Sequence, residues 1–265
     1  MKALSPSIFR FSEVTQMYKL LVADFNKLFT DRFLLLFPVC GLIVMDLFYT
    51  IVANHGSDTS VAFTADILFT DNSPMIPFVL ALFAGSFLIS DFKNGIIRNK
   101  VIAGAKRINI VLSNVIVMSM YAFYVNFLVH IGGLFFGMFF KNGYYSTQRT
   151  ILTYTLIHLG ASVALILFYM MIALLFHEAR FASFIPIVCS VIVKVIDFII
   201  TFDLYNKNLS DRTFRLFDFT DSHLPSSYLV STFRHGTATY YPSIITVIIV
   251  SVLVSIVYFQ YKDLK

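Results

Sequence analysis

Residues 91–107 read Asp-Phe-Lys-Asn-Gly-Ile-Ile-Arg-Asn-Lys-Val-Ile-Ala-Gly-Ala-Lys-Arg and lie between two long apolar runs. This segment carries five of the 20 Lys and Arg residues of the chain, so the core of a bilayer cannot hold it. Its apolar residues recur at helical spacing, which predicts a short amphipathic helix over 91–103 at the membrane surface. Ser90 is placed to cap the start of this helix, and Gly104 is placed to end it.

The composition predicts an integral membrane protein. Hydrophobic residues make up 58% of the 265 residues and charged residues 13%, whereas soluble domains are about half apolar and about a quarter charged. Six apolar runs approach the length needed to cross roughly 30 Å of hydrocarbon. They lie at about 33–54, 74–90, 110–140, 151–176, 181–202 and 241–261. The predicted fold is therefore an all-α integral membrane protein with six transmembrane helices in a single domain, 1–265.

The distribution of basic residues predicts the orientation of these spans. Thirteen of the 20 Lys and Arg residues fall in the two termini and in the connections after the second and fourth spans, and six fall on the opposite side. Because Lys and Arg accumulate on the cytoplasmic side of a membrane, both termini and the segment 91–107 are predicted to be cytoplasmic. Since most of the positive charge lies on one side of the membrane, we attribute the net charge of +5 to membrane orientation and predict no nucleic-acid partner.

Two further segments lie outside the spans. Residues 8–31 are too charged to insert, and their apolar residues line one side of a helix while Glu13, Lys19, Asp24 and Lys27 fall on other faces. The apolar set is Phe11, Val14, Tyr18, Leu21, Phe25, Leu28 and Phe29. This pattern predicts an interfacial amphipathic helix in contact with membrane lipids, with a loose cytoplasmic tail as the alternative. Residues 203–240 form a predicted outer loop, whose aromatic content favours folding back onto the interface.

These features together resemble the membrane subunits of type-2 ABC exporters. The segment Asp91-Phe-Lys-Asn-Gly95, followed by Arg98-Asn99 and then by Gly104 and Arg107, is similar to that family's loop of the form acidic-aromatic-basic-x-Gly, Arg-Asn, Gly-x-x-Arg. The resemblance implies a permease that pairs with a second copy of itself or with a homologous permease, each bound to a cytoplasmic ATPase subunit. The residues that it assigns to coupling with the ATPase are Asp91, Phe92, Asn94, Gly95, Arg98, Asn99, Gly104 and Arg107.

The resemblance also implies where the chemistry and the substrate lie. The chain has no Gly-x-x-x-x-Gly-Lys-Ser/Thr sequence, so ATP and Mg are expected on the partner ATPase, with no cofactor on this chain. Size and Trp-free composition are similar to bacterial plasma-membrane permeases of Gram-positive organisms that export amphipathic peptides such as phenol-soluble modulins or lantibiotics. Polysaccharide exporters share the six-span plan. A different function is a stand-alone membrane immunity protein that binds a peptide toxin without ATP. An intramembrane enzyme is not predicted, because no span carries a hydrolase or protease motif.

Ionisable residues inside the apolar runs are candidates for a translocation path, because such groups are costly in a bilayer. Asp46, Lys194 and Asp197 all fall in outer halves of spans and predict a hydrated vestibule between two copies. Lys194 and Asp197 are three residues apart on one helix, so mutual neutralisation is the alternative. His130 and His158 are predicted to be hydrogen-bonded core residues, since two histidines supply too few ligands for a metal site.

Overall fold

The computed structural model describes residues 6–55, 75–139, 148–178, 182–192, 195 and 240–261, and every regular element in these ranges is helical. In chain order these are α1 (Pro6–Thr30), α2 (Arg32–His55), α3 (Met75–Lys93), α4 (Ile96–Ile102), α5 (Arg107–Gly137), α6 (Gln148–Leu175), the 3-10 turn η1 (Ala182–Phe184) and α7 (Tyr240–Tyr261). Residues 185–192 continue as a helix after η1. The predicted all-α fold is confirmed for the described part of the chain.

Four helices are long and apolar enough to cross a membrane. They are Ile76–Lys93 in α3, Arg107–Phe136 in α5, Thr155–Leu175 in α6 and Tyr241–Tyr261 in α7. They coincide with the spans predicted at 74–90, 110–140, 151–176 and 241–261. The overlong third run forms a single helix. This helix already begins at Arg107, the last residue of the basic segment, so its first turn extends beyond the apolar run.

The other two predicted spans are described only in part. Helix α2 covers the run 33–54, but the apolar part described in it, Leu35–Val44, is shorter than a span. The run 181–202 is described over 182–192 and at 195, and the loop 203–240 is described only at its last residue. The count of six spans therefore stays a prediction.

The core lies between α3 and α6, which contact each other and the helices around them. Leu80, Ala81, Phe83 and Ile89 of α3 are all completely buried, on more than one side of the helix. A helix that is apolar all round is stable only when it is enclosed by other helices or by lipid. Helix α6 contains completely buried small residues such as Ala161 and Ala164, and small residues let neighbouring helices approach closely.

Helices α5 and α7 leave apolar faces uncovered. Only 22% of the Tyr241–Tyr261 span is buried, against 67% of the α3 span. On α7 the exposed residues Ile249, Leu253 and Val257 follow one another at four-residue spacing and therefore share one face. An apolar stripe of this length is costly in water and costs little against acyl chains, so it agrees with the membrane placement of the span.

Gly85 allows the turn η1 to contact α3. A Cβ atom at position 85 would overlap the backbone carbonyl oxygen of Ser183, so only glycine leaves room for this contact. The start of the predicted span 181–202 is thereby held against α3. Because backbone rather than a flexible side chain would have to move, a larger residue at 85 would displace the turn.

Helix α1 has separate protein-facing and exposed apolar faces. Leu20, Asp24 and Leu28 recur every four residues and are buried against the rest of the protein. Tyr18 and Phe29 are exposed on another side, where they are free to contact lipid. The prediction placed Tyr18, Leu28 and Phe29 on one side and Asp24 on another, and this division was wrong. The protein-facing side contains a carboxylate, so apolar periodicity alone could not identify it.

Candidate functional site

The turn between α3 and α4 is built around Gly95. The Gly95 N–H donates to the Phe92 carbonyl at 3.1 Å, and the Asn94 N–H donates to the Ser90 carbonyl at 3.0 Å. Gly95 has φ 67°, the left-handed conformation that glycine adopts without strain at the end of a helix. The prediction of one helix over 91–103 capped by Ser90 was therefore wrong. Residues 91–93 belong to α3, because the Asn-Gly turn separates them from α4.

Gly104 ends α4, as the sequence predicted. Its N–H donates to the Val101 carbonyl at 2.9 Å and the Ala105 N–H donates to the Lys100 carbonyl at 3.0 Å, with Gly104 at φ 88°. These two bonds and the left-handed glycine form a Schellman motif, which satisfies the last carbonyls of the helix. The Gly104 carbonyl also accepts a hydrogen bond of 2.8 Å from Gln16 Nε2 of α1, so the turn is attached to the N-terminal helix.

Lys27 of α1 reaches the end of α3. Its Nζ donates to Asp91 Oδ1 at 2.5 Å, to Ser90 Oγ at 2.8 Å and to the Phe87 carbonyl at 2.7 Å. The ammonium also lies 3.9 Å from the centre of the Phe87 ring, in a cation–π contact. Since an ammonium has three donor hydrogens, these three acceptors use all of them.

Lys100 of α4 continues the same cluster. Its Nζ lies 2.6 Å from Asp24 Oδ1 and 3.5 Å from Asp91 Oδ2. The hydroxyl of Ser113 on α5 donates to Asp24 Oδ2 at 2.7 Å. Asp24, Lys27, Asp91 and Lys100, called the ion network below, thus join α1, α3 and α4 and reach α5 through Ser113.

The ion network is charge-balanced and mostly buried. The Asp91 side chain is 1% exposed and the Asp24 side chain 3%, while Lys100 is 11% and Lys27 27% exposed. Two carboxylates at this depth are stable only with cations and hydrogen-bond donors beside them. Because its members belong to α1, α3 and α4, the network constrains the relative positions of these three helices.

Two other residues assigned to coupling also point inward. The ring centre of Phe92 lies 4.1 Å from that of His177, just after α6, and 6.4 Å from that of Phe259 in α7. Arg107 Nη1 donates to the Phe259 carbonyl at 3.3 Å and to the Gln260 carbonyl at 2.9 Å. The guanidinium therefore satisfies carbonyls at the C-terminal end of α7, where a cation also complements the helix dipole.

The remaining coupling residues lie at the surface. Asn94, Arg98 and Asn99 are exposed, and so are Lys93, Ile102 and Lys106. These six residues are called the loop face below. It carries three cations, residues 92–107 contain no acidic residue, and Ile102 is 73% exposed. The loop face is a basic surface that includes one exposed apolar residue, and the ion network behind it holds it in place.

The eight predicted coupling residues therefore divide into three groups. Asp91 is completely buried, and Phe92 and Arg107 are half-buried and bound to neighbouring helices, so these three support the loop from inside. Gly95 and Gly104 shape its two turns. A partner could contact Asn94, Arg98 and Asn99 directly, and it could reach Asp91 only through a change of structure.

The predicted path residues cannot be placed in the same way. Asp46 belongs to α2, but its side chain lies outside the described part of the structure, as do Lys194 and Asp197 entirely. The outer vestibule and the pairing of Lys194 with Asp197 stay predictions.

Sequence reasoning missed Asp24, Lys27, Lys100 and Ser113 as members of the site. One signal was available: Asp24 sits four residues from both Leu20 and Leu28, at an apolar position of the helical repeat. A charged residue at such a position predicts a buried partner, although it does not identify that partner.

No family model matches the chain, and no curated protein matches it. The resemblance to type-2 exporters rests on residues 91–107 and on the order of the apolar runs.

Proposed function

We propose that this chain is the membrane-spanning permease subunit of an ABC exporter and that it forms the translocation path for an amphipathic peptide or a hydrophobic toxin or drug. A separate ATPase subunit binds ATP and Mg and supplies the energy. The working unit contains two permeases, either two copies of this chain or one copy and a homologous partner. The chain itself catalyses no reaction.

The observation that carries this proposal is the attachment of the loop face to the helices behind it. A loop that transmits the movement of a bound ATPase has to be stiff and connected to the spans. Lys100 on α4 contacts Asp24 on α1 at 2.6 Å, and Asp91 at the end of α3 lies 3.5 Å from the same ammonium. A displacement of α4 would therefore pull on α1 and α3 together.

The exposed chemistry of the loop face supports a protein partner. Lys93, Arg98 and Lys106 are three exposed cations on the same loop face as the exposed Ile102, a combination that fits an acidic surface with an apolar pocket. A basic segment that served only to set membrane orientation would require neither the buried carboxylate of Asp91 nor the two glycine turns. The loop therefore has more defined structure than is needed to set the orientation of the protein in the membrane.

The membrane arrangement proposed with this function has six spans, with both termini and the loop face in the cytoplasm of a bacterial cell. Helix α1 then lies in the inner interface, with Tyr18, Val22 and Phe29 toward lipid. The ion network lies at the same level, where α1 meets the cytoplasmic ends of α3 and α5. The alternative function, an immunity protein that binds a peptide toxin without ATP, requires no partner on the loop face.

Co-purification tests the proposal and separates the two functions. The tagged chain isolated from membranes of its native host should carry a P-loop ATPase, and Arg98→Glu should remove that ATPase and its substrate-stimulated hydrolysis. Lys19→Glu is the matched control, because Lys19 is an exposed cation of α1 outside the loop face. Isolation of the chain without any ATPase, or equal ATPase binding by Arg98→Glu and Lys19→Glu, would contradict the proposal.

A further inference from the structure

Four polar residues face one another inside the membrane-spanning helices α5 and α6. Asn126 and His130 lie one turn apart on α5, and His158 and Ser162 lie one turn apart on α6. The ring centres of His130 and His158 are 6.5 Å apart. These four residues are called the polar quartet below.

The register of the two helices places the four residues on facing sides of α5 and α6. The connection 138–147 is too short for anything except an antiparallel arrangement of α5 and α6. One turn from His130 toward the start of α5 is Asn126, and one turn from His158 toward the end of α6 is Ser162. In antiparallel helices these steps go in the same direction, so Asn126 lies level with Ser162.

Two buried polar atoms of the quartet lack a hydrogen-bond partner among the described residues. Asn126 Nδ2 donates to the Ala122 carbonyl at 2.9 Å, so Oδ1 of the same amide points away from that bond. His130 Nδ1 lies 2.7 Å from the Asn126 carbonyl, and because a carbonyl only accepts, the ring proton is on Nδ1 and Nε2 is an acceptor. Within the described residues, Asn126 Oδ1 and Ser162 Oγ are buried and have no hydrogen-bond partner.

Such atoms are expensive at this depth. Asn126 is 3% exposed and Ser162 is completely buried, and a polar atom without a partner is most costly inside a bilayer, where lipid cannot replace the lost hydrogen bond. Side-chain amides and hydroxyls in this position are normally satisfied by protein or by bound water. The missing partner must supply donors, because the quartet already offers the acceptors.

We propose that the polar quartet is a binding site for ordered water between α5 and α6. Water donates a hydrogen to Asn126 Oδ1 and accepts from the Ser162 hydroxyl, and two polar partners lie within the two to four that buried water usually has. A metal ion fits less well, since two histidines with one amide and one hydroxyl oxygen are a poor ligand set for zinc. The site is independent of the function proposed above.

Radiolytic labelling tests the site directly on the purified full-length chain in lipid nanodiscs. Short X-ray pulses generate hydroxyl radicals from bound as well as bulk water, and mass spectrometry locates the oxidised side chains. His158 should be oxidised several-fold faster than Tyr169, which lies on the same helix and is equally inaccessible, at 1% exposure each. Equal, slow oxidation of both residues would overturn the proposal.

Variants extend the test to the named atoms. In Asn126→Leu/Ser162→Ala the oxidation of His158 should fall to the level of Tyr169, and Ser162→Ala alone should lower the unfolding midpoint by about 2–4 °C. Ser255→Ala is the matched control, because the buried Ser255 hydroxyl donates to the Ser251 carbonyl of its own helix at 2.7 Å and needs no water. An unfolding midpoint raised by Ser162→Ala would show that the Ser162 hydroxyl has no partner in the wild type. Labelling that responds to added Zn²⁺ or to a chelator would show a bound ion. Either result would overturn the proposal. Wild-type labelling decides the matter even if a variant fails to fold.

Discussion

Removal of the Lys100 ammonium is the sharpest test of the ion network. The substitution Lys100→Met keeps the length and most of the apolar volume of the side chain and removes its charge. Asp24, 3% exposed, would then retain the Ser113 hydroxyl as a hydrogen-bond donor but lose the cation that lies 2.6 Å from its carboxylate. Asp91 would keep Lys27 at 2.5 Å, so most of the cost arises at Asp24.

The size of the effect follows from burial. Breaking a buried ion pair by removing one partner costs about 3–5 kcal/mol, and the 11% exposure of Lys100 favours the lower end of that range. At about 3 kcal/mol, the unfolding midpoint of a chain of this length should fall by about 6–12 °C. Lys93→Met is the matched control, because Lys93 is an exposed cation a few residues away and its loss should change the midpoint little.

A double-mutant cycle separates the ion pair from other effects of the substitutions. Asp24→Asn keeps the volume of the side chain and removes its charge, so Asp24→Asn/Lys100→Met restores the balance that each single variant loses. The double variant should be more stable than the sum of the two single effects predicts, by about 0.5–3 kcal/mol. Thermal unfolding of the wild type, the two single variants and the double variant, all purified in the same detergent, measures the four stabilities. Additive effects, or a Lys100→Met midpoint equal to that of Lys93→Met, would refute the reasoning.

Three further predictions concern the turns, the helix contacts and the path. Gly95→Asn should fold and Gly95→Val should lose stability, because φ 67° suits asparagine and strains a β-branched residue; equal unfolding midpoints would contradict this. Gly85→Ala should lower the unfolding midpoint, because its Cβ would overlap the Ser183 carbonyl oxygen. Gly160→Ala is the control: its Cβ would meet only ordinary side-chain contacts, so it should raise the midpoint slightly through helix propensity. An unchanged midpoint in Gly85→Ala would contradict the close approach of η1 to α3. Lys194→Ala should lower export by the assembled complex without changing its assembly, and normal export would exclude a path role for Lys194.

The sequence predicted those features that depend on residues close together along the chain. Apolar run length located the four membrane-length helices, and the left-handed preference of glycine located the end of α4 at Gly104. The start of α4 was misplaced because residues 91–93 have helical periodicity with the residues on both sides of them. Only the backbone turn at Gly95 shows that they belong to α3.

The contacts of the site could not be predicted in this way. Lys100 and Asp24 are 76 residues apart, and Lys27 and Asp91 are 64 apart. Charge signs allow many pairings among the basic residues of the loop and the few carboxylates of the chain. The packing of α1 against α3 and α5 selects one of them, and that packing depends on every helix in the bundle.

Two cations on α4 finally show why the basic segment cannot be treated as a single patch. Arg98 is exposed on the loop face, and Lys100, two residues later, is turned inward to Asp24 and Asp91. A positive charge at either position contributes equally to membrane orientation, which counts charges without regard to their contacts. The two nevertheless have different surroundings in the folded protein. Arg98→Glu should therefore change partner binding and leave the unfolding midpoint intact, while Lys100→Met should lower the midpoint and affect a partner only through the position of α4. If both variants lost stability and partner binding to the same degree, the separation between a supporting network and a docking surface would not exist.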